Sequence, residues 1–250
     1  MKKIIAIGGG EIGRPGYKIE TKAIDQEIIK LSAKKNPRFL FIPTASGESE
    51  AYCDTVKNYF GKKLSCQVDV LYLNKNKLTS KQLQTKILQT DIIYVGGGDT
   101  AMMMRLWRKH GLDKLLLKAY QKGIILSGLS AGSICWFASG QSDYKKMKDP
   151  KAAYARVSGL GLIKALHVPH FDVDKQRHKD LKVTLKKTNN LAIALDNCCA
   201  LEVLDDQYRV IASKKSAQAY KIYWKNNKYY QVLLSQDKTF RPLKELLTKT

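Results

Sequence analysis

Short apolar runs and amphipathic stretches alternate through the first half of the chain. Residues 3–7, 38–42, 67–73 and 91–95 are strand-length runs rich in Ile, Leu, Phe, Val and Tyr, and Ile124-Ile125-Leu126 leads into Ser130. Runs this short and apolar, bounded by glycines, prolines or polar clusters, are the pattern of strands buried on both faces. Between the first two, Ala23, Ile24, Ile28 and Leu31 recur at helical spacing with lysines opposite, which predicts a helix over 21–35. The same spacing predicts helices over 49–64, about 79–89 (with an N-cap in Leu78-Thr79-Ser80-Lys81), 100–110 and 112–122. A helix is also expected after Ser130, with Cys135 inside it. Strand and helix in alternation imply an α/β fold, a mostly parallel sheet with helices on both faces.

The pattern changes near residue 155. Strand-like runs at 159–163, 165–168, 191–195, 199–204, 209–213, 219–223 and 229–234 follow, interrupted by one helix at about 174–187. Asp205-Asp206-Gln207 and Lys225-Asn226-Asn227 are turn signals, so these C-terminal strands are expected to be antiparallel. A short amphipathic helix is expected within 239–250. No repeat, low-complexity tract or linker divides the chain, and a single domain over 1–250 is expected.

Composition narrows the class. The chain is 44% hydrophobic, and no apolar run reaches the ~18 residues of a membrane span. The N-terminal apolar stretch stops after Ile4-Ile5-Ala6-Ile7, short of a signal-peptide core, and points to a cytoplasmic protein. Five cysteines, an odd number with two adjacent, show no metal-ligand spacing and read as buried thiols. The net charge of +22 raises nucleic-acid binding, but the lysines are scattered as pairs, with no helix-turn-helix or zinc-finger pattern. A solvated basic surface follows, without a nucleic-acid or membrane partner.

Two glycine-rich segments carry candidate chemistry. Gly8-Gly9-Gly10-Glu11-Ile12-Gly13 contains the letters of a dinucleotide fingerprint, but Arg14-Pro15-Gly16 interrupts the helix that should follow. The next strand ends in Pro43-Thr44-Ala45 rather than in a ribose-binding acid, so these glycines are expected to form a loop at the edge of the sheet. Gly128-Leu129-Ser130-Ala131-Gly132 is a G-x-S-x-G pattern after a buried strand, the arrangement of a nucleophile elbow. Such a turn exposes a serine hydroxyl at the carboxyl edge of a sheet, beside free N–H groups at a helix start.

A serine nucleophile needs a base, and the chain has four histidines. His110 precedes Gly111 at a helix end, and His178 lies in a lysine-rich helix and reads as a surface residue. His167 and His170 bracket Val168-Pro169 at a strand end, and either could meet Ser130. Gly96-Gly97-Gly98, also after a buried strand, can turn backbone donors toward an anion; one of them with the N–H of Ala131 would make an oxyanion hole.

Three segments in order, Val95-Gly96-Gly97-Gly98-Asp99-Thr100, Ser127-Gly128-Leu129-Ser130-Ala131-Gly132-Ser133 and Pro169-His170-Phe171, resemble the peptidase E family of serine peptidases. That family also includes the cyanophycinases, and its fold is similar to that of class I glutamine amidotransferases. The resemblance runs from the first strand to about residue 204. It implies a Ser–His–acid triad without metal or organic cofactor, acting on small peptides. By position, it makes Ser130 the nucleophile, His170 the base, and the N–H groups of Gly98 and Ala131 the oxyanion hole.

The chain departs from the family at two places. Where the family carries its acid, this sequence reads Asp196-Asn197-Cys198-Cys199, with Asn197 on the acid's position. Asp196, or an amide at Asn197 orienting the histidine, are the candidates; Asp143 is a third, and Asp172 lies too close to His170 in sequence to be favoured. The arginine by which peptidase E reads an N-terminal aspartate is replaced by Asp174, with Arg177 matching the next arginine along; Arg177 or Lys175 remain as carboxylate-binding candidates. Strict specificity for N-terminal aspartate is therefore not expected. Two other readings fit the same residues. One is an α/β-hydrolase-type esterase using Ser130, Asp143 and His170. The other is a basic binding protein whose triad has decayed.

Overall fold

The computed structural model describes residues 1–147 and 149–249. At its centre β1 (Lys3–Ile7) pairs in parallel with β5 (Ile125–Leu129), followed outward by β4 (Ile92–Val95), β2 (Arg38–Ile42) and β3 (Gln67–Val70). On its other side β1 pairs antiparallel with β10 (Cys199–Leu204), then β11 (Gln207–Ala212) and β14 (Arg241–Pro242) complete eight strands. The alternation of side chains explains why these strands are apolar throughout. Ile4, Ala6, Leu40, Ile42, Ile93 and Val95 enter one core, whereas Ile5, Ile7, Phe39, Phe41, Ile92 and Tyr94 enter another on the opposite face.

The second of these cores is closed by α1 (Lys22–Lys30) and α2 (Glu50–Val56), which continues as a π-type turn over Lys57–Lys63. The first is closed by α3 (Ser80–Leu88), α4 (Thr100–His110), α5 (Leu112–Gln121) and a second sheet. That sheet has six strands, in the order β13 (Lys228–Leu233), β12 (Ala219–Lys225), β9 (Leu191–Leu195), β8 (Ile163–Val168), β6 (Phe137–Ser142) and β7 (Ala155–Ser158). Its outer face is covered by α7 (Lys175–Thr188), through Leu181 and Leu185. The chain ends on the short α8 (Leu243–Leu247).

Three expectations change. The helix after Ser130, α6 (Ala131–Ile134), is a single turn, with Cys135 at its C-cap. Its end is fixed by residues 160–163: Leu160 N–H donates to Cys135 O, Gly161 N–H to Phe137 O and Ile163 N–H to Trp136 O. Those donors stop the helix and also keep 159–162 from being a strand, so the strand there is β7, four residues earlier than expected. The triple glycine after β1 is not at the sheet's edge but at the carboxyl end of an interior strand, between β5 and β10. Finally, His178 is half-buried rather than freely exposed: its ring stacks on Phe171 at 3.8 Å, and Nε2 lies 2.6 Å from Phe171 O.

Candidate active site

The turn after β5 places Ser130 in a backbone conformation that side chains rarely adopt, φ +56° and ψ −116°. It can form because the flanking glycines have no Cβ: one added at Gly132 would stand 2.1 Å from Val95 O. His170 follows β8, again at positive φ (+50°), and its Nε2 lies 2.9 Å from Ser130 Oγ. On the far side of the ring, Nδ1 lies 2.7 Å from Oδ1 of Asn197, in the loop between β9 and β10.

The segments that carry these residues are held by successive carbonyls at the end of β1. Ser130 N–H donates to Ile7 O at 3.1 Å, His170 N–H to Gly8 O at 3.1 Å, and Cys198 N–H to Gly9 O at 2.8 Å. Gly9 must be bare, since a Cβ there would stand 2.2 Å from Asn197 Oδ1 and 2.3 Å from the His170 ring. The glycine run after the first strand is thus the backbone support of the site. The sequence signal was present in those three letters; the pairing partner that would have given it meaning, β10, lies far along the chain.

Burial is the main influence on His170 and pushes its pKa down, and the Arg177 guanidinium adds to this. The bond to Asn197 and the carboxylates of Asp143 and Asp172 push it up, without reversing the net fall. The imidazole is therefore neutral at neutral pH, with a lone pair available toward the serine.

The Gly96–Gly98 loop runs beside the serine: a Cβ on Gly97 would lie 3.4 Å from Ser130 Cβ. Gly97 N–H donates to the Tyr52 hydroxyl at 3.3 Å, and Asp99 N–H to Ala45 O at 2.8 Å. Between them the N–H of Gly98 donates to no protein acceptor among the described residues, and the N–H of Ala131, first in its helix, has none within it. The space in front of Ser130 is a cleft of about 630 Å³, reaching Ser46, Tyr52, Glu11 and Arg14. Its outer wall is a narrow strap joining β1 to α1, closed by the Ile12–Ile19 bridge and by Glu20 N–H donating to Glu11 O.

The other candidates fall elsewhere. Asp196, next to Asn197 in sequence, turns its carboxylate to the backbone N–H of Gln218 at 2.9 Å, away from His170. Asp143 lies beyond β6, its carboxylate 3.6 Å from the Arg177 guanidinium. Arg177 is 2% exposed; it donates to Gln141 O and stacks over Tyr154, so its guanidinium is not free at the cleft wall. Asp174 caps α7 and accepts the Tyr154 hydroxyl. His167 is buried in β8, between Ser133 Oγ and Ile193 O. Asp172, disfavoured by sequence proximity, accepts the backbone N–H of Asn197 at 2.8 Å and faces its amide nitrogen at 3.4 Å. Among the described residues no cluster of three His, Cys, Asp or Glu could hold a metal ion, and no helix is long and apolar enough to cross a membrane.

Residues 4–211 match the model of peptidase family S51. The chain belongs to that family. It is 33% identical over 226 residues to the uncharacterized peptidase YgaJ of Bacillus subtilis (strain 168), a match covering 89% of this chain and 92% of the relative. It is 30% identical over 142 residues to the uncharacterized peptidase PM1590 of Pasteurella multocida (strain Pm70), covering 55% and 66% respectively. Among solved structures it is similar to a peptidase from an acI-B1 Actinobacterium, with a TM-score of 0.71 at 19% identity over 97% of both chains. A putative peptidase E protein from Listeria monocytogenes EGD-e gives a TM-score of 0.60 at 19% identity over 85% of this chain and 98% of that one. The structural matches show a shared fold, and family membership supports a peptidase of serine type.

Proposed function

We propose that this S51 chain hydrolyses small peptides through an acyl-enzyme on Ser130. In that reading His170 Nε2 accepts the Ser130 proton as Oγ attacks the scissile carbonyl, and then passes it to the leaving amine. The oxyanion is met by the N–H groups of Gly98 and Ala131, donors that in acyl-transfer enzymes each contribute roughly 3–4 kcal/mol to the transition state. Asn197 accepts the Nδ1 proton of His170 and holds the ring in the tautomer that leaves Nε2 free. Water then enters, again through His170, and releases the acid. The observation that carries the reading is the line from Asn197 Oδ1 through the imidazole to Ser130 Oγ, with contacts of 2.7 and 2.9 Å.

The cleft volume suits a few residues of peptide, and the lack of a free arginine from α7 at its wall argues against strict reading of an N-terminal aspartate. The esterase order is not adopted, since Asp143 is engaged with Arg177 while Asn197 contacts the imidazole. Five unpaired, buried cysteines support a reducing, cytoplasmic setting, and a core shared by both sheets supports a single domain. The test is hydrolysis of a peptide library by the protein and by its Ser130→Ala variant. Cleavage that depends on Ser130 is expected; equal cleavage by both would overturn the reading. A protein that cleaves nothing and resists a fluorophosphonate would be the decayed scaffold instead.

A further inference from the structure

Asn197 is neutral, so the line from the serine through the histidine ends on an amide where a triad would end on a charge. An amide also has two faces, one accepting and one donating, and only the accepting face serves His170. Something must hold it that way round. The neighbour on its other side is Asp172: one carboxylate oxygen accepts the Asn197 backbone N–H at 2.8 Å, and the other faces Asn197 Nδ2 at 3.4 Å. The turn after His170, in which Val173 N–H donates to His170 O and Phe171 N–H to Leu195 O, brings Asp172 back against the Asn197 loop.

We propose that Asp172 is the positioning residue of this site, its charge acting on the histidine through the Asn197 amide. A carboxylate only accepts hydrogen bonds, so the amide must turn its NH2 toward Asp172 and its Oδ1 toward His170. Oδ1 in turn accepts only, so the ring proton sits on Nδ1 and the lone pair on Nε2, where Ser130 can donate its proton. The polarity of the whole line is thus set by one exposed carboxylate two residues past the histidine. Asp196 cannot take this part, being held by the Gln218 backbone. The inference rests on the reading of Ser130 and His170 given above.

The test uses phosphonylation of Ser130 by an alkyl fluorophosphonate, which separates the limiting rate from the affinity for the probe. In Asp172→Asn the new amide, with its Oδ1 kept on the Asn197 backbone N–H, turns its NH2 to the Asn197 side chain and favours the reversed amide, which puts NH2 against His170 and the ring proton on Nε2. The limiting rate is expected to fall about a hundredfold or more, within the range seen when a triad histidine takes the wrong tautomer, with the affinity unchanged. Combining Asp172→Asn with Asn197→Asp restores the original polarity, with the charge now next to the ring, and is expected to recover most of the lost rate. A residue that merely braces the loop would not be rescued in this way. An unchanged rate in Asp172→Asn, or a double variant no faster than the single, overturns the proposal. Nitrogen-15 NMR of the wild-type His170 ring gives a check free of any folding defect: a proton on Nδ1 is expected, and a proton on Nε2 overturns it. Failure of the wild-type protein to react at Ser130 would instead overturn the underlying reading, and the proposal with it.

Discussion

The molecule contains two serine–histidine pairs built from the same two segments. Ser130 faces His170 at 2.9 Å, and Ser133, one helical turn on, faces His167, one strand step back, at 2.8 Å. In each, the far ring nitrogen meets an oxygen, Asn197 Oδ1 in one and Ile193 O in the other. Contact geometry alone would not tell them apart. The differences lie around them. His167 and Ser133 are fully buried, and the Ser133 hydroxyl also lies 2.7 Å from Ser130 O, which ties it to the turn. His170 and Ser130 line the cleft, both at positive φ, beside the N–H groups of Gly98 and Ala131. Access and waiting donors make the outer pair a candidate for chemistry; the same contacts, sealed, make the inner pair a brace.

The sharpest way to break this contrast is to remove each base. His170→Ala should reduce the rate of peptide hydrolysis by about 10³-fold or more, since loss of a triad histidine removes the general base outright; steady-state kinetics on the folded variant checks it. Gly9→Ala comes next. Its methyl would occupy space now filled by the His170 ring and Asn197 Oδ1, and a shift of the ring by about 1 Å should cost roughly 10²-fold. The variant should lose rate while the inner pair is undisturbed, as read from its melting temperature.

His167→Leu should do the reverse. It leaves the Ile193 carbonyl without its ring partner, the Ser133 hydroxyl keeping Ser130 O, and should cost about 1–3 kcal/mol of stability in denaturant unfolding, with the rate per folded molecule within a few-fold. The inner pair should also show in the pH dependence of stability. Burial lowers the His167 pKa to about 3, against 6.5 when unfolded. The unfolded chain therefore binds the extra proton first, and this contribution to stability is complete above about pH 6.5 and lost as pH falls toward 3. Melting temperature followed down that range should fall less steeply in His167→Leu. The acid limb of the hydrolysis profile should report His170 instead, and Asn197→Asp should move it to higher pH by adding an adjacent negative charge.

Much of this was legible in the residues. The alternation through β5 follows from apolar runs buried on both faces, and the elbow from two glycines whose Cβ atoms would meet Val95 O or Gly132 O. The choice between His167 and His170 was not legible from pattern, because both lie at the end of the same strand or just beyond it and both find a serine. Resemblance to a family pointed to His170. Asn197 was legible as a departure at the acid's position, but not that Asp172 stands behind it, since the turn that folds Asp172 back depends on a bond to Leu195, twenty-odd residues away. Trp136-Phe137-Ala138 continued the apolar character of a helix, and nothing local shows that residues 160–163 capture its carbonyls and start a strand. In the last two cases what stayed hidden was a backbone donor or acceptor contributed from far along the chain.

The carbonyls of Ile7, Gly8 and Gly9 have a consequence for the order of events in folding. They are synthesised well before their partners, at Ser130, His170 and Cys198, which lie far along the chain. Contacts that close such long loops form late and slowly. An N-terminal fragment ending with β9, at Leu195, would carry the serine, the histidine and much of the cleft, yet lack the loop that sets the ring. Recovery of Ser130 reactivity on refolding is therefore a clock for the completion of the whole topology, and it should lag behind the return of helical signal.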